Sequence, residues 1–277
     1  MRKQLFFTNA FVIMIMFVHG QMNEIFQEGD IGVSAGLAHY FGDLNNQSSL
    51  NSAKPVLGLF ARKQFGNYVA LRLSGHYTNL GYSDIYSNID FQKVRNLSFN
   101  TDLWEVSLQG DFNFFRFVPG DASYPFTPYI TMGVGTFNYN PYAFLNGNKY
   151  FLRELGTEGQ GSTKYPERKQ YGKQAFCIPL GMGVKFNIIK NVNFALEFSY
   201  RFTNTDYLDD VSSTYAGEDT FVFGSPAYFL QDRSYVSGKR IGITGKQRGF
   251  SEQKDQYIFA EMAISFSFSS YRCANPK

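Results

Sequence analysis

Residues 176–202, FCIPLGMGVKFNIIKNVNFALEFSYRF, decide the fold. Phe176, Ile178, Leu180, Met182, Val184 and Phe186 alternate with Cys177, Pro179, Gly181, Gly183 and Lys185. Past the short connection Ile188–Asn191 the alternation resumes, with Phe194, Leu196, Phe198, Tyr200 and Phe202 against Ala195, Glu197, Ser199 and Arg201. A period of two places each set on its own face of a strand, and the pair of runs forms a hairpin. One face is large and apolar, the other small with a few charges. A soluble sandwich or a lipocalin-like barrel also alternates, but it turns the apolar face inward and covers its exterior with charge. The second faces here are too small and too sparsely charged for a solvated exterior. They fit the lumen of an eight-stranded barrel, which is just wide enough to be filled by side chains.

Six further runs share the pattern. They are centred on Ile31–Leu37, Leu57–Ala61, Val69–Tyr77, Trp104–Phe114, Pro128–Val134 and Ile258–Phe268, giving eight in all. Short connections (Gly66-Asn67, Val118 to Phe126, Ile188 to Asn191) alternate with long polar ones near 42–55, 79–101, 140–173 and 204–254. That asymmetry predicts an all-β chain: an eight-stranded antiparallel transmembrane β-barrel with short periplasmic turns and long extracellular loops. An even strand count sets both ends of the barrel on the periplasmic side. Aromatics at the strand ends, among them Tyr40, Phe41, Phe115, Phe117 and Tyr139, read as interfacial girdles.

The first residues carry export features. Met1-Arg2-Lys3 is basic, Leu5 to Val18 is mostly apolar, and Val18-His19-Gly20 resembles a small-residue cleavage site. The expected organisation is a signal peptide over 1–20, the barrel over 21–268 and a periplasmic tail over 269–277. No cysteine follows the cleavage point, so lipid anchoring there is not expected. Beyond residue 20 no apolar run approaches the roughly 20 residues of a helical span. The mean hydropathy of -0.26 conceals an apolar belt, because lipid-facing and lumen-facing residues alternate. A net charge of +3 gives no argument for nucleic acid.

Catalysis in such a barrel needs a histidine beside Ser, Asp or Glu near the outer rim. His39 falls on the lipid-facing parity of the first strand and reads as a girdle residue. His76 falls on the lumen parity of the third and reads as a hydrogen-bonder, so no enzyme is expected. Asp206-Tyr207-Leu208-Asp209-Asp210 gathers three carboxylates of the kind that hold calcium, but it lacks the ligand spacing and glycine of a calcium loop. It reads as a hydrated loop start. Leu155-Gly156-Thr157-Glu158-Gly159-Gln160-Gly161 has no phosphate-loop context and reads as turns. No metal and no cofactor are expected.

On the lumen parity, Arg62, Arg72, Lys185 and Arg201 stand against Glu105, Asp111, Glu197 and Glu261, four against four. A matched set in a narrow lumen predicts a plugged interior. Cys177 is expected as a buried lumen thiol. Cys273 lies about 20 Å away at the opposite end of the wall, beyond disulfide reach. As a lone thiol on the tail, Cys273 is the candidate partner contact, in a reduced or an intermolecularly bonded form.

Several motifs then resemble one family. Ala38-His39-Tyr40-Phe41-Gly42-Asp43-Leu44 is similar to the end of strand one in the PorG-like barrel proteins of the type IX secretion system. Phe126-Thr127-Pro128-Tyr129 continuing to Gly133-Val134-Gly135, the run 155–161, Pro179 to Lys185 and Lys254-Asp255-Gln256-Tyr257 fit in order. The sharpest match is Thr205-Asp206-Tyr207-Leu208-Asp209-Asp210-Val211-Ser212; residues 213–253 match nothing in the pattern. The resemblance implies an integral outer-membrane component, held among outer-membrane lipids. It further implies association with the periplasmic ring lipoprotein and its partner, in a machinery for secretion or gliding. The rival reading is a free-standing surface barrel, an adhesin or defence protein acting through its extracellular loops.

Overall fold

The computed structural model describes residues 28–119 and 121–269. The expected signal peptide and Cys273 lie outside them. Ten strands occur among the described residues: β1 (Glu28–Phe41), β2 (Lys54–Phe65), β3 (Val69–Ser83), β4 (Ser98–Asn113), β5 (Phe126–Asn138), β6 (Tyr142–Leu145), β7 (Asn148–Phe151), β8 (Gln174–Ile189), β9 (Val192–Thr203) and β10 (Gln256–Ser269). Eight of them close a cylinder in which every neighbour pair is antiparallel. The seam is β1 on β10, in continuous register from Glu28 opposite Ser269 to Phe41 opposite Gln256. Closure leaves no free edge in the wall, the condition for a sheet to cross lipid.

The alternation holds as read. Ile31, Leu57, Leu71, Val106, Met132, Phe176, Phe198 and Met262 all face outward and exposed, while Arg62, Arg72, Glu105, Asp111, Lys185 and Arg201 face inward and buried. A contiguous exposed apolar belt of this size is intolerable in water and is solvated by a bilayer. The chain is an outer-membrane β-barrel. No helix among the described residues is long and apolar enough to cross a membrane, so the strands alone carry the span.

The β4–β5 connection spans 114–125, longer than the short turn read at Val118 to Phe126, and three other places differ from the sequence reading. The β2–β3 turn takes three residues, Gly66 to Tyr68, because Phe65 pairs with Val69. The connection placed at 79–101 shrinks to 84–97, because β3 and β4 stay paired out to Ser83 opposite Ser98. Along this extension the faces exchange character. Leu80, Tyr82, Phe99 and Leu103 point inward and are buried, while Asn79, Ser98 and Asn100 point outward. The period of two continues, but the solvent outside is now water and the interior an apolar core. Tyr40, Leu44, Leu97, Phe137, Tyr139, Leu208 and Val211 join that core from the other strands and loops.

The third difference is the hairpin β6–β7 inside 140–173. Asn146 and Gly147 take φ of 51° and 81°, the two positive values of a tight hairpin turn. The Asn-Gly signal was present in the sequence at that place. The hairpin adds to the outer end of β4 through Asn100 opposite Tyr142.

Topology is open to direct labelling. In a Cys273→Ser background, Ser237→Cys should react with a membrane-impermeant maleimide on intact cells. Asn191→Cys should react only after the outer membrane is breached. Both positions are exposed, whereas the native Cys177 is buried and silent.

Candidate functional site

Two polar networks occupy the barrel, one in the lumen and one in the loops that cover it. In the periplasmic half, Arg62 bridges Asp30 and Asp111, each at 2.9 Å. Lys185 Nζ lies 3.1 Å from Asp111 and donates to Asn113 at 3.1 Å. Arg72 grips Glu197 with two contacts of 2.6 and 3.1 Å, and the Tyr129 hydroxyl donates to the same carboxylate at 2.6 Å. Further out, Arg201 lies 3.3 Å from Glu105 and stacks 3.8 Å from the Phe259 ring centroid. Tyr257 donates to Glu105 at 2.7 Å, Ser34 to Glu261 at 2.7 Å, and His76 stands between the two carboxylates at 3.6 and 3.4 Å.

The expected eight charges are therefore brought together, with one addition. Asp30 is a fifth carboxylate, and His76 is the group that faces the surplus. A void beside Arg72, His76 and Glu197 measures about 10 Å³, room for about one water. The lumen is filled.

Above it, four segments distant in sequence meet. Tyr40 on β1 donates its hydroxyl proton to Asp209 at 2.5 Å and lies 3.0 Å from Asp255. Asp255 accepts from the Leu208 amide at 2.9 Å, and Asp209 accepts from the Val211 amide at 2.8 Å. Gly42 fits only without a side chain, since a Cβ there would fall 2.0 Å from Asp255 Oδ1 and 2.1 Å from Tyr40 Oη. Asp43 caps the Phe250 amide at 3.0 Å.

Glu158 accepts from the Ser212 and Ser213 amides at 2.9 and 3.1 Å and from Arg248 at 3.1 Å. Arg248 also donates to the Asp210 carbonyl at 2.6 Å. Asp210 takes hydrogen bonds from Thr157 and, at 2.6 Å, from Tyr171. Tyr171 in turn stacks between Tyr139 and Tyr207. Arg95, from the second loop, holds Asp84 with contacts of 2.7 and 2.8 Å and donates to the Arg248 carbonyl at 2.6 Å. The motif residues of the first, third and fourth loops thus form one buried cap.

Two sequence readings are corrected here. Asp206, Asp209 and Asp210 are not a hydrated loop start; all three are buried, as the roof of the apolar core. Nor is His39 a girdle residue facing lipid. The first loop folds down over it, so that its Nε2 lies 2.6 Å from the Ser49 carbonyl and the ring is buried. His39 and His76 lie at different heights, each engaged with partners other than a nucleophile. Among the described residues no group of three or more His, Cys, Asp or Glu is arranged to hold a metal ion. The run 155–161 is a series of turns, and Cys177 is a buried free thiol. Sequence reasoning missed Arg95, Arg248 and Asp84, which lie in segments without a recognised motif.

Residues 3–227 match a family described as Domain of unknown function (DUF6089). The chain belongs to that family. The first-loop motif, the run 155–161 and the Asp206–Asp210 motif of this DUF6089 chain lie inside the match, whereas Arg248 and Asp255 lie beyond it. No curated protein sequence matches the chain. Among solved structures it is similar to the attachment invasion locus protein Ail of Yersinia pestis, at 11% identity and a TM-score of 0.42, covering 87% of this chain and 99% of that one. It is similar also to Neisserial surface protein A, at 12% identity and 0.42, with 87% and 97% covered. The N-terminal barrel domain of Pseudomonas aeruginosa OprF gives 12% and 0.36, with 86% and 97% covered.

Glu197→Ala should cost roughly 3–5 kcal/mol of barrel stability, since it leaves the buried Arg72 with only the Thr131 hydroxyl at 3.2 Å and Asp111, shared with Arg62 and Lys185, at 3.5 Å. Lys164→Ala, at an exposed pair with Asp219, should leave barrel stability close to that of the wild type. Urea unfolding in detergent, followed by gel mobility of the folded barrel, compares the two. Gly42→Ala should leave the barrel folded while exposing residues 206–254 to protease.

Proposed function

We propose that this barrel is a structural, non-catalytic outer-membrane component of a type IX secretion or gliding machinery, associating with its periplasmic ring. The observation that carries the structural part is the lumen filled by paired charges beneath the loop cap: a barrel without a wide passage works through its surfaces. The motif residues support the finer reading. Tyr40, Gly42, Asp43, Glu158, Asp209, Asp210 and Asp255, which resemble the PorG-like pattern, act together in a single buried cap. They therefore form a structural unit rather than scattered coincidences. The partners on this reading are a periplasmic ring lipoprotein and its companion, met from the periplasmic rim, with Cys273 as a candidate contact on the tail.

One observation favours the second reading, an adhesin or defence barrel. In the fourth loop Val222 and Phe223 are 79% and 83% exposed, and Val236 and Ile243 are exposed as well. Apolar side chains displayed in an extracellular loop are a surface on which another molecule can settle.

Affinity capture of the intact, detergent-solubilised barrel separates the two. The translocon reading predicts that periplasmic ring proteins co-purify, and that a clean deletion leaves type IX cargo unexported while outer-membrane integrity persists. Capture without ring proteins together with normal export contradicts it and favours the surface-barrel reading.

A further inference from the structure

The cap carries more carboxylates than its cations can answer. Asp84, Glu158, Asp206, Asp209, Asp210 and Asp255 are buried there and Asp43 is half-buried, whereas Arg95 and Arg248 are the guanidinium groups buried with them. Arg95 is committed to Asp84, and Arg248 to Glu158 and Asp210. None of the ion pairs among the described residues involves Asp43, Asp206, Asp209 or Asp255.

Hydrogen counting sharpens the problem at one point. Asp209 Oδ2 and Asp255 Oδ1 both face the Tyr40 hydroxyl, at 2.5 and 3.0 Å. The hydroxyl owns one proton and can satisfy one carboxylate; the other contact needs a proton of its own. No water stands between them, because the Tyr40 hydroxyl and Asp255 Oδ1 are already in direct contact at 3.0 Å. We propose that the closed cap holds one proton shared by Asp209 and Asp255 across the Tyr40 hydroxyl, and that losing it loosens the fourth loop from the barrel mouth.

The position suits such a latch. Asp209 stands just after the start of the fourth loop, Asp255 is its last residue before β10, and Tyr40 lies on the neighbouring β1. The shared proton therefore ties both ends of the loop to the wall. Other groups facing the latch reinforce it. Asp43 comes from the first loop, Asp206 from the fourth and Glu158 from the third. Arg95, Arg248 and the exposed Lys254 supply the opposing charge.

Burial, then the neighbouring carboxylates, holds Asp209 and Asp255 well above the ordinary aspartate range. Burial likewise lifts Asp206 to about 7 and Asp43 to about 6. A carboxyl raised in the closed state binds more protons there than in the open one. Closure is therefore favoured in mild acid and lost as pH rises through the raised values.

Hydrogen exchange at the Leu208 and Val211 amides, which donate to Asp255 and Asp209, reads the latch directly. The full-length barrel is measured in detergent micelles between pH 5.5 and 9.5, without divalent cations and corrected for intrinsic exchange. Protection of both amides should fall by about tenfold or more across that range, while barrel amides such as Leu196 stay protected. Asp209→Asn and Asp255→Asn each mimic the protonated partner and should flatten the fall. Constant protection in the wild type, or an undiminished fall in both variants, overturns the proposal. So does protection restored at pH 9.5 by calcium alone, since the site then holds a cation in place of the proton.

Discussion

Buried charge in a lumen with almost no room for water governs this molecule. An eight-stranded cylinder leaves an interior that side chains must fill, and here the filling is ionic. Arg62 between Asp30 and Asp111, Arg72 on Glu197, and Arg201 on Glu105 each need their partner, because neither lipid nor water can replace it. Strand register follows from that need. A slip of one residue would send every one of these groups into lipid and every apolar residue inward. The network thus ties the sequence to one barrel and fills its lumen with side chains.

At the outer end the constraint changes with the solvent. Strands β3 and β4 emerge from the bilayer with their pairing intact, and their apolar face moves from outside to inside. Leu80, Tyr82 and Phe99 form an aqueous-type core, roofed by the carboxylates of the fourth loop. The cap is therefore built like a small soluble domain resting on the barrel. The hydrogen bonds of Glu158, Arg248 and Tyr40 supply the long loops with order that strand pairing cannot give them.

The parts legible in the sequence were those with a fixed period. Ile31 to Leu37 and Phe194 to Phe202 announced wall strands, and parity alone sorted the eight lumen charges. Asp30 escaped because it precedes the first large apolar residue of its run. The outer halves of β3 and β4 escaped for a physical reason: a reading tuned to apolar-out residues stops where the outward face turns polar, at Asn79 and Asn100. The cap was beyond reach, since its contacts join residues such as Tyr40 and Asp255 with no periodic relation. The acidic run of the fourth loop looked hydrated for the same cause. Nothing local tells Asp209 that a tyrosine from β1 will lie beneath it.

Planar-bilayer recording of the purified wild-type barrel at neutral pH tests most directly whether the charge network fills the lumen. The account predicts no stable conductance steps at any applied voltage the bilayer tolerates. Steady, porin-sized currents from the folded protein would contradict it.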